Sequence, residues 1–221
     1  MLVLLIFFVI SVPVKMMSEC TRWYLYGLSA NPPTYAHYEI IKRVSSFAED
    51  LTVIPTYKHP IKTNLIDFEH RFNMLRMLCD PLERVYVSRI EEEIQLNSTY
   101  ELITNLRSRI PLYVDTKFVL VCDFFIMMDF LDMTRKHSEE ILKSEDIDFC
   151  VVLNNSNDIL KDTARIFEHK NSVNKNIEFL VIDTIDESIR SSIARNNIEA
   201  SEDVLPECVR DYIRNNSIVF A

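Results

Sequence analysis

The sequence predicts an α/β fold, a parallel sheet of five or six strands with helices on both faces. Short apolar runs alternate with amphipathic stretches five or six times along the chain. Two of those runs, KFVLVC at 117–122 and FCVVL at 149–153, are continuously apolar, as strands covered on both faces tend to be. No repeat and no Pro/Gly/Ser-rich linker divides the 221 residues, a length suited to one core.

The elements follow in order. WYLY at 23–26 reads as the first strand. Residues 38–48 place Ile40, Ile41, Val44, Phe47 and Ala48 at helical spacing. LTVI at 51–54 is the next strand, stopped by Pro55. Residues 67–78 bring Phe68, Phe72, Leu75 and Leu78 into helical register, and VYV at 85–87 is strand-like. Residues 100–110 suit a helix with Leu102, Ile103 and Leu106 inward. After the strand at 117–122, residues 124–144 are helical in composition, with Phe124, Phe125, Met127 and Met128 as core or subunit surface. The strand at 149–153 is followed by a helix over 158–170 and a last strand, FLVI at 179–182. Residues 188–196 and 206–215 read as closing helices. In such sheets ligands bind beyond the carboxyl ends of the strands at the topological switch point, so the turn after the first strand is the first place to look.

Composition narrows the chemistry. With 24 basic and 33 acidic side chains the formal charge is −9, which argues against a broad basic footprint and hence against a nucleic-acid partner. Small anionic substrates remain open, because a few local donors can hold them. The chain has one glycine, Gly27, where average usage of ~7% would give roughly fifteen. A Walker A loop and a GxGxxG fingerprint are therefore excluded. A phosphate site is either absent or built around Gly27. The cysteines (Cys20, Cys79, Cys122, Cys150, Cys208) form no CxxC and no zinc spacing; Cys79, Cys122 and Cys150 read as buried thiols of a reducing compartment.

Residues 1–17 form an apolar N-terminal segment, distinct from a single domain over 18–221. MLVLLIFFVISVPV at 1–14 is shorter than the ~20 residues that span a bilayer as a helix. No Lys or Arg precedes it, and Lys15, Met16 and Met17 follow. Three readings stay open: translation starting at Met16 or Met17, a signal or membrane anchor, or a folded strand. Membrane association is expected only if residues 1–14 are retained as an anchor.

The segment YGLSANPPTYAH at 26–37 runs from strand through loop to helix. It offers backbone N–H groups, the Ser29 and Thr34 hydroxyls, the Asn31 amide, the His37 ring and a helix start that favours anions. Asn-Pro-Pro restricts the backbone there. These residues read as a rigid phosphate seat or, more plainly, as a loop with a surface histidine.

GLSANPPTYAH resembles the first motif of the nicotinamide/nicotinate mononucleotide adenylyltransferases, of the nucleotidyltransferase superfamily with a (H/T)xGH signature. Gly27, Asn31, Pro32, Thr34 and His37 fall at matching steps, and Ala36 stands where the signature has glycine. Further blocks follow in the family's order. PTYKHPIK at 55–62 with EHRFNML at 69–75 is similar to PxxxxPFK…HRxxML. NSTYELI at 97–103 is similar to SYTxDTL, with Thr99 on the threonine. Val121-Cys122-Asp123 stands at GxD, with the aspartate kept. IRSSIAR at 189–195 is similar to ISSTxIR, keeping Ser191 and Arg195, with Ser192 for threonine and Arg190 for the first serine. LPECVRDYI at 205–213 is similar to LPxxVxxYI. The resemblance covers roughly residues 22–220.

The resemblance implies a Rossmann-like domain in which the 5′-phosphate of nicotinamide or nicotinic acid mononucleotide attacks the α-phosphorus of ATP, releasing pyrophosphate, with Mg²⁺ arriving on ATP. It assigns catalysis to His37, Thr34 and Arg195, and ATP binding to Gly27, His37, Asp123, Ser191, Ser192 and Arg195. Ser29, Lys62, Thr99 and Arg71 are assigned to the mononucleotide. Two bland readings stand beside these: Asp123 as the cap of the next helix, and Arg71 as the partner of an acid. His59 and His70 read as structural or exposed, and Glu91–Glu93 as a solvated charge run. Family members carry a tryptophan near 132–137 against the pyridine; this chain's only tryptophan is Trp23, which leaves Phe130 or a loop residue for that role. Many relatives assemble, which leaves a homo-oligomer open. ATP and scattered thiols imply the cytoplasm, with the nucleus as an option. The competing readings are a sister nucleotidyltransferase acting on another phosphorylated acceptor such as phosphopantetheine, a non-catalytic nucleotide-binding relative, and a membrane-tethered scaffold.

Overall fold

In the computed structural model the described residues are 20–59, 62–95, 98–111, 114–154, 159–170, 176–183, 189–196, 198 and 202–220. The apolar segment at 1–17, with its three readings, lies outside the described residues, as do Pro60, Ile61, Asn97, Asp158 and Ser188.

Six strands form one sheet: β1 (Thr21–Leu28), β2 (Asp50–Pro55), β3 (Val85–Val87), β4 (Thr116–Asp123), β5 (Ile147–Asn154) and β6 (Ile177–Ile182). Their order is β3-β2-β1-β4-β5-β6 and every pairing is parallel. The helices are α1 (Tyr35–Ser45), α2 (Phe68–Cys79), α3 (Ile90–Ile94), α4 (Thr99–Arg109), α5 (Phe124–Leu131), α6 (Ser138–Lys143), α7 (Ile159–Lys170), α8 (Ser191–Asn196) and α9 (Glu207–Asn215).

The two-residue period of the strands divides the core. Leu25, Phe118, Leu120, Phe149, Val151 and Leu153 face α3 to α7, packing on Ile90, Leu102, Met127, Ile141 and Ile166. Tyr24, Tyr26, Val119, Val121, Cys150 and Val152 face the other way, toward Ile41 and Val44 of α1 and Leu75 and Cys79 of α2. A third cluster joins Met74 and Leu78 of α2 to Ala194 of α8 and to Val209 and Ile213 of α9. Burying one such Leu, Ile or Phe contributes about 1.5–3 kcal/mol. Cys79, Cys122 and Cys150 are buried free thiols, as expected. Among the described residues no helix is long and apolar enough to cross a membrane.

One expectation is corrected. Residues 124–144 are not a single helical stretch but two helices, α5 and α6. The Thr134 backbone N–H and hydroxyl both donate to the Asp129 carbonyl at 3.0 Å, which ends α5, and Met133 and His137 take left-handed conformations (φ 58° and 61°). Neither glycine nor proline marks that break. Among the described residues, non-glycine side chains stand at six left-handed positions, Ala30, Arg84, Gln95, Met133, His137 and Ser217, while Gly27 occupies none of them.

The switch point lies between β1 and β4, because the chain leaves β1 toward β2 and enters β4 on the other side. The β1–β4 pairing runs from Thr21↔Thr116 to Tyr26↔Val121 and stops. Beyond it, Gly27 and Leu28 pair only with Ile54 and Pro55 of β2, and Cys122 and Asp123 only with Val151 and Val152 of β5. The two central strands part there, and the crevice so opened is where such a sheet takes its ligand.

Candidate active site

The crevice has two lobes, one of about 780 Å³ and one of about 400 Å³, which share Gly27, Thr56, His59, Cys122, Ile126, Asp129 and Arg135. Gly27, at the carboxyl end of β1, is exposed to both. A methyl group placed on its α-carbon would meet nothing within 4 Å, and its φ is not positive. Folding therefore does not require glycine at this position, since the open space in front of the backbone would take a methyl group. We expect Gly27→Ala to leave stability within about 0.5 kcal/mol of the parent in urea denaturation. The same methyl would stand where a ligand approaches, and nucleotide affinity should fall about tenfold, or about 1.4 kcal/mol. Unchanged affinity would mean that nothing binds against this strand end.

His37 sits on the first turn of α1 and lines the larger lobe. Its Nδ1 accepts the Thr34 backbone N–H at 2.9 Å and lies 2.8 Å from the Thr34 hydroxyl. An amide N–H can only donate, so Nδ1 is the unprotonated nitrogen and the ring carries its proton on Nε2. Burial, then the Lys62 ammonium, push the imidazole down to about 4. At neutral pH the site thus presents a neutral, fixed N–H donor. Thr34 caps α1 and is fully buried, so it does not face a ligand. Thr34, expected among the catalytic residues, thus meets the His37 ring and not the open lobe.

The loop after β1 is held from two directions. The Asn31 side chain is buried, accepting the Ile66 N–H and donating to the Asn64 carbonyl. From the far end of the chain, the Ser191 hydroxyl donates to the Pro32 carbonyl at 2.8 Å and an Arg195 N–H to the Asn31 carbonyl at 2.8 Å. One of the five guanidinium N–H groups of Arg195 is used in that bond. Gly27, His37 and Arg195, distant in sequence, line one lobe together with Ser29, Lys62, Asp123, Ser191 and Ser192. Lys62 Nζ donates to Ser29 Oγ at 3.2 Å. Asp123 caps α5, accepting the Ile126 N–H at 2.8 Å, and also lines the lobe. Although the chain is strongly acidic, this lobe carries Lys62, Arg135, Arg190 and Arg195 against Asp123 and Asp129.

The smaller lobe is lined by Thr99 at the start of α4 and by Ser98, Thr56 and Leu102. Arg71 lines neither lobe. It is 1% exposed and donates to the carbonyls of Ile66 (2.9 Å), Ser29 (3.0 Å), Thr56 (2.6 Å) and Tyr57 (3.4 Å). Arg71 thus clamps backbone, with the Asp67 and Glu91 carboxylates acting on its charge from nearby.

Sequence reading missed several lining residues. Glu91 is not a solvated charge: it lines the smaller lobe, accepts the Tyr57 N–H at 2.9 Å, and burial pushes its carboxyl up. His59, read as structural or exposed, lines both lobes, as do Asp129 and Arg135. The basic run at 135–137 was the available signal for Arg135. Phe130 borders the smaller lobe but is 2% exposed, packed on Phe149 at 5.5 Å with the Arg135 guanidinium over its ring. Trp23 donates to Thr52 Oγ1 at 2.8 Å and packs on Phe118, away from both lobes.

Comparison with known proteins adds to this geometry. The family model described as cytidylyltransferase-like matches residues 25–197. A curated relative, the probable nicotinate-nucleotide adenylyltransferase of Acholeplasma laidlawii, is 35% identical over 108 residues, 48% of this chain and 56% of the relative, so the match spans just over half of that protein's length. The Plasmodium falciparum nicotinic acid mononucleotide adenylyltransferase complexed with NaAD superposes with a TM-score of 0.73, covering 90% of this chain and 97% of that one at 18% identity. The same Plasmodium protein complexed with APC gives 0.71 over 90% and 96%, again at 18% identity. At that identity the two superpositions show a shared fold.

Proposed function

Because this chain belongs to the cytidylyltransferase-like family, we propose that it is a nucleotidyltransferase joining ATP to nicotinic acid or nicotinamide mononucleotide. An oxygen of the mononucleotide 5′-phosphate bonds to the α-phosphorus of ATP. The bond from that phosphorus to the bridging oxygen breaks, and pyrophosphate leaves with the electron pair. The observation that carries the reading is the gathering of Gly27, His37, Lys62 and Arg195 on one lobe at the sheet's switch point. The names of the curated relative and of the Plasmodium protein support the choice of substrate.

Each side chain then has work suited to its chemistry. The attacking phosphate is already ionised, so no general base is needed; catalysis rests on position and on donors aimed at spreading negative charge. His37 Nε2–H donates to an oxygen of the transferred phosphoryl group without bringing charge of its own. Arg195 holds the β- and γ-phosphates, with Ser191 and Ser192 beside it, and Lys62 brings its charge to the mononucleotide phosphate. Ser29 and the N–H groups beyond Gly27 meet the mononucleotide phosphate, Asp123 accepts from the ATP ribose, and Thr99 stands by the pyridine. Thr34 and Arg71 act through the parts they hold in place.

Magnesium fits as a passenger of ATP. Among the described residues no cluster of three or more His, Cys, Asp or Glu side chains could cage a metal. Mg²⁺ commonly keeps its waters and rides on substrate phosphates with one or two carboxylates, a role open to Asp123 or Asp129 at the lobe wall. It would supply charge neutralisation on the leaving pyrophosphate. ATP use and the five free cysteines support a cytoplasmic setting.

The test is pyrophosphate release by the purified chain with ATP, Mg²⁺ and each mononucleotide in turn, with the dinucleotide identified by mass. We expect product from at least one of them. A folded protein that makes none, or that turns over only phosphopantetheine, would remove this reading.

A further inference from the structure

Two histidines in the crevice share one hydrogen-bonding device. Like His37 with Thr34, His59 receives a backbone N–H on Nδ1, here from Lys62 at 3.0 Å. By the same logic its remaining ring proton sits on Nε2. Burial, then Lys62 and Arg135, push this imidazole below its usual range, so it too is neutral near pH 7. Unlike His37, His59 lines both lobes. Arg135 lies at the same junction, its guanidinium only 3.8 Å from the Asp129 carboxylate, a loose ion pair.

We propose that His59 is a second catalytic imidazole, whose Nε2–H donates to the mononucleotide phosphate as that group crosses from the smaller lobe into the larger. This inference rests on the adenylyltransferase reading. A mononucleotide is a rod of base, ribose and phosphate. With the base in the smaller lobe beside Thr99, the phosphate must reach an α-phosphorus in the larger one. It passes the junction, where Arg135 and His59 lie and where the Lys62 ammonium acts on the His59 ring from the larger-lobe side. The two cations attract the dianion from any direction. A neutral donor on a locked ring adds direction, setting one phosphate oxygen while another attacks. In the (H/T)xGH signature a second imidazole could come from the first position, but here that position is Thr34, buried behind His37. His59 comes from a different loop, after β2.

Two substitutions separate this role from a structural one, because each keeps one ring nitrogen's function. His59→Asn keeps an acceptor near Nδ1 for the Lys62 N–H but has no donor at the Nε2 position. His59→Gln sets an amide N–H near the Nε2 position and gives up the loop bond. We expect His59→Asn to lower kcat/KM for the mononucleotide about 10- to 100-fold, as for a lost hydrogen bond to a charged group, with the KM for ATP and the melting temperature unchanged. His59→Gln should recover most of that loss. The reverse order, Asn tolerated and Gln impaired, would assign His59 to loop structure and overturn the proposal, as would two variants equal to the parent. Calorimetric titration of nicotinic acid mononucleotide into the same three proteins keeps the two readings apart. A parent that binds the mononucleotide without turnover defeats the reaction, while the order of affinities still decides His59. A parent that binds neither mononucleotide defeats both.

Discussion

Replacing His37 by alanine should lower turnover by at least about 10²-fold, since removing one donor aimed at developing charge raises a barrier by about 2.7–4 kcal/mol. The effect is expected on kcat more than on KM, because the Nε2–H lies against the transferred group rather than the adenine or pyridine. The melting temperature should move little, as the ring's structural bond is one cap interaction on α1. Gln in place of His, which restores an amide donor near Nε2, should recover part of the rate. A near-parental rate for the alanine variant would put the reaction elsewhere.

The same residue sets a pH dependence, and its direction can be worked out. The folded imidazole titrates at about 4, against 6.5 for the free side chain. Between these values the unfolded chain binds a proton that the folded chain does not. Stability from this group is therefore complete above about 6.5 and is lost as pH falls toward 4. Rate should be insensitive to His37 titration from pH 6 to 8. A rate falling with an apparent pKa near 6.5 and abolished by His37→Ala would mean that the ring is ordinary and exposed.

The second large effect is on stability. Arg71→Leu removes the donor to four carbonyls drawn from the loops after β1 and β2 and the turn before α2. A fully buried carbonyl left without a donor costs about 1–3 kcal/mol; these four are half-buried, and losing all four bonds at once should still cost about 3 kcal/mol or more. Against a total of about 5–15 kcal/mol this is large. It should appear as a lower urea midpoint at constant m. Lys at this position keeps the charge but not the planar fork that reaches three loops at once, so Arg71→Lys should recover little. Two of the carbonyls belong to Ser29 and Thr56, which line the crevice, so affinity for ATP and for the mononucleotide should fall together in any fraction that folds. A parental midpoint would show the clamp to be dispensable.

The strands were legible because burial on both faces writes itself as uninterrupted apolar runs such as KFVLVC and FCVVL, too short and too regularly spaced between amphipathic stretches to suit helices. The lone glycine was legible as a place of open approach because every other phosphate loop of the glycine-rich kind was excluded by count. The break between α5 and α6 was not, since Thr134 ends α5 with its own hydroxyl and N–H and no proline or glycine announces it. Glu91 was taken for one of three solvated acids because its partner, the Tyr57 N–H, lies 34 residues away.

Thr34 and His37 show the boundary most clearly. A spacing of three on the first turn of a helix says that the two side chains meet, and that much is local. Which of them looks into the crevice depends on how the loop before α1 is held, and its holds come from elsewhere: Arg195 bonds the Asn31 carbonyl across 164 residues and Ser191 the Pro32 carbonyl across 159. Arg71 is the same case reversed, a motif residue whose charge is turned inward onto backbone. Periodicity and residue type act over a turn or a strand, and they were enough for the elements, their alternation and the segments that matter. The direction of a side chain at a strand end is set by packing between segments far apart in the chain, and only the folded molecule brings those together.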